Sequence, residues 1–155
     1  MDDHLNNRYE ADALIWTDTQ IALLRAGKFD QLDVENIISE LGYQVRKDKH
    51  EVASRLRGLM AHLLKYQFQP ERRSRSWANT IDNHREEILD VLTQMPSLRP
   101  QLDEYVAHNY TKAVRAAARD TRKPRTAFPQ ENPYTVAQIL DLDFFPGQSE
   151  KAVDP

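Results

Sequence analysis

A chain of 155 residues, with 40% hydrophobic and 29% charged side chains, is long enough to bury one core and polar enough at its surface for a soluble protein. It contains no cysteine, which excludes disulfides, thiolate metal sites and a cysteine nucleophile. The net charge of −3 conceals blocks of opposite sign: residues 1–45 carry 3 basic and 9 acidic side chains, residues 46–75 carry 9 basic and 3 acidic, and residues 111–125 carry 6 basic and 1 acidic.

The opening "MDDHLNNRYE" is acidic and polar, without the apolar run of a secretory signal. The longest apolar stretch, "LMAHLLKY", is far shorter than a membrane span. The expected location is the cytoplasm, with no membrane partner. "YEADALIWTDTQIALLRAG" then reads as a first helix, with Ala13, Trp16, Ile21, Leu23 and Leu24 on its apolar side and Gly27 as its stop. "KFDQL" is a turn, with Phe29 and Leu32 expected to anchor it in the core.

Asp33 is placed to cap a long second helix, whose apolar stripe recurs at three- and four-residue steps from Val34 to Leu63. Gly42 and the polar run "RKDKHE" are the expected places for a bend. Pro70 ends this helix because proline lacks the amide proton and disfavours helical geometry in the residue before it. Ser74 or Ser76 can cap a third helix carrying Trp77, Ile81, Ile88, Leu89 and Leu92. Ser97 can cap a fourth, whose alanine-rich end permits close helix approach. "KPRTAFPQENPY" is an extended loop, and Thr135 caps a short last helix, "VAQILDLD". No stretch alternates with period two and no repeat is visible. The spacing predicts an all-α fold: an up-and-down bundle of four main helices and a short C-terminal one. It forms a single domain over residues 1–146, followed by a flexible tail over 147–155.

The order of these motifs resembles a known family. "YEADALIWTDTQIALLRAGKFDQLDVENIISEL", "HLLKYQFQPERRSRSW", "PSLRPQL" and "FPQENPYTVAQILDLDFFP" are similar to the bacterial domain of unknown function family numbered 29, over residues 9 to 146. The resemblance implies a small helical bacterial protein. It implies no activity.

The densest candidate site is "QPERRSRSW". Arg72, Arg73 and Arg75 offer planar forks that can hold phosphate oxygens, and Trp77 can stack on a base or a guanidinium. The charge blocks suggest another use, in which these arginines bridge to Asp12, Glu35 and Glu40. A second candidate is the pair Arg57 and His62, whose spacing is similar to the signature of the HEPN ribonucleases. His62 would act as general base on a ribose hydroxyl and arginine would steady the phosphate. Five residues put Arg57 and His62 about 140° apart on a helix, whereas Arg55 lies two turns from His62 on the same line. Glu104 with His108, or His84 with Glu87, could share an ion, but surface pairing explains them better, and no metal or cofactor is expected. The cations Lys112, Arg115, Arg119, Arg122, Lys123 and Arg125 suit the end of the fourth helix, with a remainder that could touch nucleic acid.

The resulting reading is a non-enzymatic binding module acting through the arginine loop. A protein partner is favoured over RNA or DNA because acidic patches accompany the basic ones, and the long second helix suits a homodimer. The alternatives are a ribonuclease using His62 with Arg55 or Arg57, and a nucleic-acid-binding antitoxin or regulator.

Overall fold

The computed structural model describes residues 8–147. Its main elements are α1 (Ala13–Arg25), α2 (Val34–Phe68), α3 (Arg75–Gln94), α4 (Leu102–Thr121) and the short α5 (Val136–Leu140), joined through 3-10 turns. The expected all-α fold of four main helices and one short one is thus found, and no strand occurs among the described residues. The tail expected from residue 147 onward lies, apart from Gly147, outside the described residues.

Most helix ends follow their local chemistry. Asp12 accepts the Ile15 N–H at 3.2 Å, Ser74 accepts the Trp77 N–H at 3.1 Å, and Thr135 forms a reciprocal capping box with Gln138. Gly27 takes the left-handed conformation at φ 70° that lets the chain turn after α1. The fourth helix departs from expectation. Residues Pro96–Gln101 wind as a 3-10 helix, and α4 begins only at Leu102, without a side-chain cap. Pro100 disfavours α geometry at Arg99, so Ser97 does not start a long helix.

At 35 residues and 1.5 Å per residue, α2 is about 52 Å long. It runs through Gly42 and the polar run without a break in helical assignment. The chain comprises two compact units that divide between Asp48 and Lys49, inside that polar run.

The first unit contains α1 and the start of α2. Tyr9 donates its hydroxyl to Glu40, and the indole Nε1 of Trp16 donates to Asp33 at 2.9 Å. The pairing of earlier with later residues shows that the two helices run antiparallel. Only Trp16 and Gln20 are buried among the described residues of this unit.

The second unit holds the core. Val52, Leu56, Leu59 and Leu63 of α2 are fully enclosed, packed with Ile81, Ile88 and Leu92 of α3 and with Ile139 of α5. Each such side chain contributes about 1.5–3 kcal/mol on burial. Ala113 and Ala117 of α4 are also fully buried, as the alanine-rich end of that helix predicts.

Candidate functional site

The most unusual surface lies in the first unit. Of the 11 large hydrophobic side chains exposed among the described residues, all but Leu142 belong to it. Their placement follows from helical periodicity. Trp16, Gln20 and Leu23 of α1 turn toward α2, where Ile37 and Glu40, with Asp33 just before the helix, occupy the facing stripe. One residue further on in each helix is a rotation of about 100°. Because the helices are antiparallel, that step brings both next stripes to the same side of the hairpin. Those stripes are Ile21 and Leu24 of α1, and Val34, Ile38, Leu41 and Val45 of α2. All six are between 40% and 64% exposed. The α2 members alternate steps of four and three residues, the rhythm of a helix–helix seam. Burial of this stripe, expected from the sequence, is thus realised only in the second half of α2. Phe29, expected as an anchor, is also exposed.

Asp33 sits at the rim of this face as the hinge of a polar cluster. It accepts from Trp16 Nε1 and from Asn36 Nδ2 at 2.7 Å, and its own N–H donates to Gln20 Oε1 at 2.9 Å. Burial would raise its pKa, but hydrogen bonds from Asn36 and Trp16 outweigh that and hold the carboxyl below its ordinary value.

Within the second unit, the arginine segment is held through one of its three guanidinium groups. Arg73 donates from Nε to the Tyr66 carbonyl at 2.6 Å and from its terminal nitrogens to the carbonyls of Gly147 and Pro146. Its guanidinium carbon lies 4.7 Å from the centre of the Tyr66 ring. Its partners within the second unit are therefore backbone carbonyls and an aromatic face. Asp12 caps α1, Glu40 accepts from Tyr9, and Glu35 stands exposed in the first turn of α2. Arg72 and Arg75 are exposed. Trp77 is half-buried, with the Lys65 ammonium 5.3 Å from its ring centre.

A stronger clamp was missed. Arg85 is fully buried and donates to the carbonyls of Ile139 at 2.8 Å, Phe144 at 2.7 Å and Gln138 at 3.3 Å. It fastens α5 and the chain after it to α3. Desolvation lowers its pKa from the ordinary value, opposed by Asp82 and Asp141. A signal was present: Ile81, Arg85, Ile88 and Leu92 follow one helical stripe, with a cation where an aliphatic residue belongs.

His62 sits half-buried, its Nδ1 3.0 Å from the Gly58 carbonyl. That carbonyl can only accept, so Nδ1 carries the proton. The ring centre of His84 lies 6.1 Å away, packed so closely that a Cβ on Gly58 would come within 3.1 Å of His84 Nε2. Desolvation lowers the pKa of both histidines and favours their neutral forms. Arg55 is engaged elsewhere, in ion pairs with Glu51 at 3.1 Å and with Glu87. Arg57 lines a separate concavity with His108 and Lys112. No cluster of three potential metal-ligating side chains occurs among the described residues. In the late basic stretch, Lys123 is tied to the Phe68 carbonyl at 2.8 Å, whereas Arg119 stays exposed beside its chain neighbour Asp120 at 3.3 Å.

The family model for "Domain of unknown function DUF29" matches residues 8–145. The chain belongs to the DUF29 family. This match covers most of the chain, including both units and the "QPERRSRSW" segment, in keeping with the motif order read from the sequence. Neither a curated protein nor a solved structure matches this DUF29 chain. No helix among its described residues is long and apolar enough to cross a membrane.

Proposed function

We propose that this DUF29 protein works by binding, and that its partner surface is the apolar face of the first unit rather than the arginine loop. The single observation that carries this reading is the six-residue face of Ile21, Leu24, Val34, Ile38, Leu41 and Val45, exposed together on one side of a two-helix hairpin. Contiguous apolar surface of this kind marks interaction sites. Two helices that bury only Trp16 and Gln20 between them also gain little stability alone.

The occupant is a second copy of the chain. Two hairpins laid face to face form a four-helix bundle with coiled-coil-like packing. The four α2 positions are symmetric about a point between Ser39 and Glu40, so an antiparallel pair aligns Val34 with Val45 and Ile38 with Leu41 of the other copy. That arrangement sets the acidic start of α2, Asp33 and Glu35, alongside the basic Arg46 and Lys47 of its mate. A parallel pair would set like charges together. Two-fold self-complementarity is the commonest route to an oligomer.

The ribonuclease reading has less support, because Arg55, the cation in line with His62, is committed to Glu51 and Glu87.

Sedimentation equilibrium tests the proposal. Wild type should be dimeric in the micromolar range. Leu41→Asp should sediment as a monomer with an unchanged unfolding transition for the second unit. A wild type that stays monomeric at high micromolar concentration removes the second copy as the occupant. A dimer indifferent to both Leu41→Asp and Ile38→Asp removes the face.

A further inference from the structure

The concavity that holds Arg57 belongs wholly to the second unit and is independent of the dimer face. Its volume is about 330 Å³. One wall is α2, where Lys49, His50, Ser54 and Arg57 fall on one side of the helix. The other wall is α4, which supplies His108 and Lys112 one turn apart. Three permanent cations and two imidazoles therefore converge on one hollow, and no carboxylate lines it. Such convergence is unfavourable unless an anion or paired acid compensates it. Among the described residues, none of the ion pairs involves Lys49, Arg57 or Lys112.

Side chains of the α4 wall are ordered along their own helix. The Tyr105 hydroxyl donates to Gln101 at 2.7 Å, and the amide of buried Asn109 donates to the Tyr105 carbonyl at 2.8 Å. Arg57 directs Nη2 toward Ser54 Oγ at 3.4 Å, a long contact that leaves most of its five N–H donors for a ligand. The neighbouring helices each contribute side chains at steps of three and four residues, so the donor set is built into the helical framework rather than into a loop.

The geometry points to a phosphate-binding site in this hollow, with Arg57 as the bidentate anchor and Lys49, Lys112 and the two histidines as flanking donors. The volume lies at the low end of ligand sites, which run from about 300 to 1,000 Å³. It therefore suits a single phosphomonoester rather than an extended chain. Arginine supplies the planar fork that matches two phosphate oxygens, and lysine supplies point charge. A small phosphorylated metabolite and the 5′-phosphate of an RNA strand present the same group.

Calorimetric titration of the full-length protein with inorganic phosphate, at ionic strength matched with sodium chloride, tests the site. Binding should be detectable in the millimolar range or tighter. Arg57→Gln and Lys112→Gln should each weaken it by about tenfold, corresponding to about 1.4 kcal/mol, while Arg72→Gln leaves it unchanged. Arg57→Lys keeps the charge without the fork and should fall between wild type and Arg57→Gln, which separates anion recognition from a folding defect. Competition with a nucleoside monophosphate, and with a short RNA bearing or lacking a 5′-phosphate, distinguishes the two sources. Tighter binding of the phosphorylated RNA assigns the strand end, and equal binding assigns a small ligand. Absence of phosphate binding, or binding that Arg57→Gln and Lys112→Gln leave intact, refutes the site.

Discussion

The two halves of α2 carry the same apolar rhythm and meet opposite fates. Val34, Ile38, Leu41 and Val45 stand more than half exposed, whereas Val52, Leu56, Leu59 and Leu63 are completely enclosed. Nothing in the side chains themselves distinguishes the two sets, since both are aliphatic and both keep steps of three and four. The difference lies in what surrounds them. After Lys49 the helix is covered by α3, α4 and α5. Before Asp48 its own unit offers only α1, which occupies a neighbouring stripe. An apolar stripe thus reports that a helix needs a partner, and it does not say whether that partner is in the same chain.

The largest effects should come from breaking the enclosed half. Leu59→Ala should cost about 2–5 kcal/mol, as the cavity adds to the lost transfer free energy. Leu41→Ala should change the unfolding of the isolated monomer by less than about 0.5 kcal/mol, as for other exposed positions. Urea denaturation of the pair, run below the dimer dissociation constant, tests the contrast directly. Equal costs would show that the first half is enclosed after all.

Arg85→Met comes next. It keeps much of the volume but leaves the carbonyls of Gln138, Ile139 and Phe144 without their donor, at about 2–3 kcal/mol in total. Limited proteolysis should then cut after α5 sooner than in wild type. Arg73→Ala removes a more exposed clamp and should cost about 1 kcal/mol, while Arg72→Ala and Arg75→Ala should stay within about 0.5 kcal/mol. If all three loop arginines cost the same, Arg73 is not singled out by its carbonyls.

The smallest effect is a pH dependence confined to the second unit. The folded-state pKa values of His62 and His84 are lowered by desolvation. Below the unfolded histidine value of about 6.5 the unfolded chain therefore binds protons that the native state resists. Their contribution to stability is complete above that pH and is lost as pH falls through the lower folded values. Melting temperature should decline as pH drops from 7 toward 5, and His62→Gln/His84→Gln should flatten that decline. An unchanged slope would mean that neither ring is desolvated as placed.

Much of the architecture was legible because it is encoded locally. The stop at Gly27, the end at Pro70 and the caps at Ser74 and Thr135 each depend on a few neighbouring residues, and all are found in place. The candidate sites were less legible, since they depend on residues distant in sequence. The charge blocks point to carboxylates as partners for the arginines and give no hint that Arg73 reaches the carbonyls at 66, 146 and 147. Backbone carbonyls carry no signature in composition, so net charge was a poor guide to them. Helical spacing sets Arg57 about 140° from His62 and gives no reason to group it with His50. Their meeting with His108 and Lys112 required α4 to lie beside α2.

The sequence alone determined that this chain is helical, where its helices cap and end, and which family it joins, because those properties follow from neighbouring residues and their periodicity. Tertiary structure alone decided which apolar stripe is covered, which arginine is buried and which cations share a hollow. Each of those depends on the side that a distant helix approaches, and the approach is governed by the summed packing of the core rather than by any single segment.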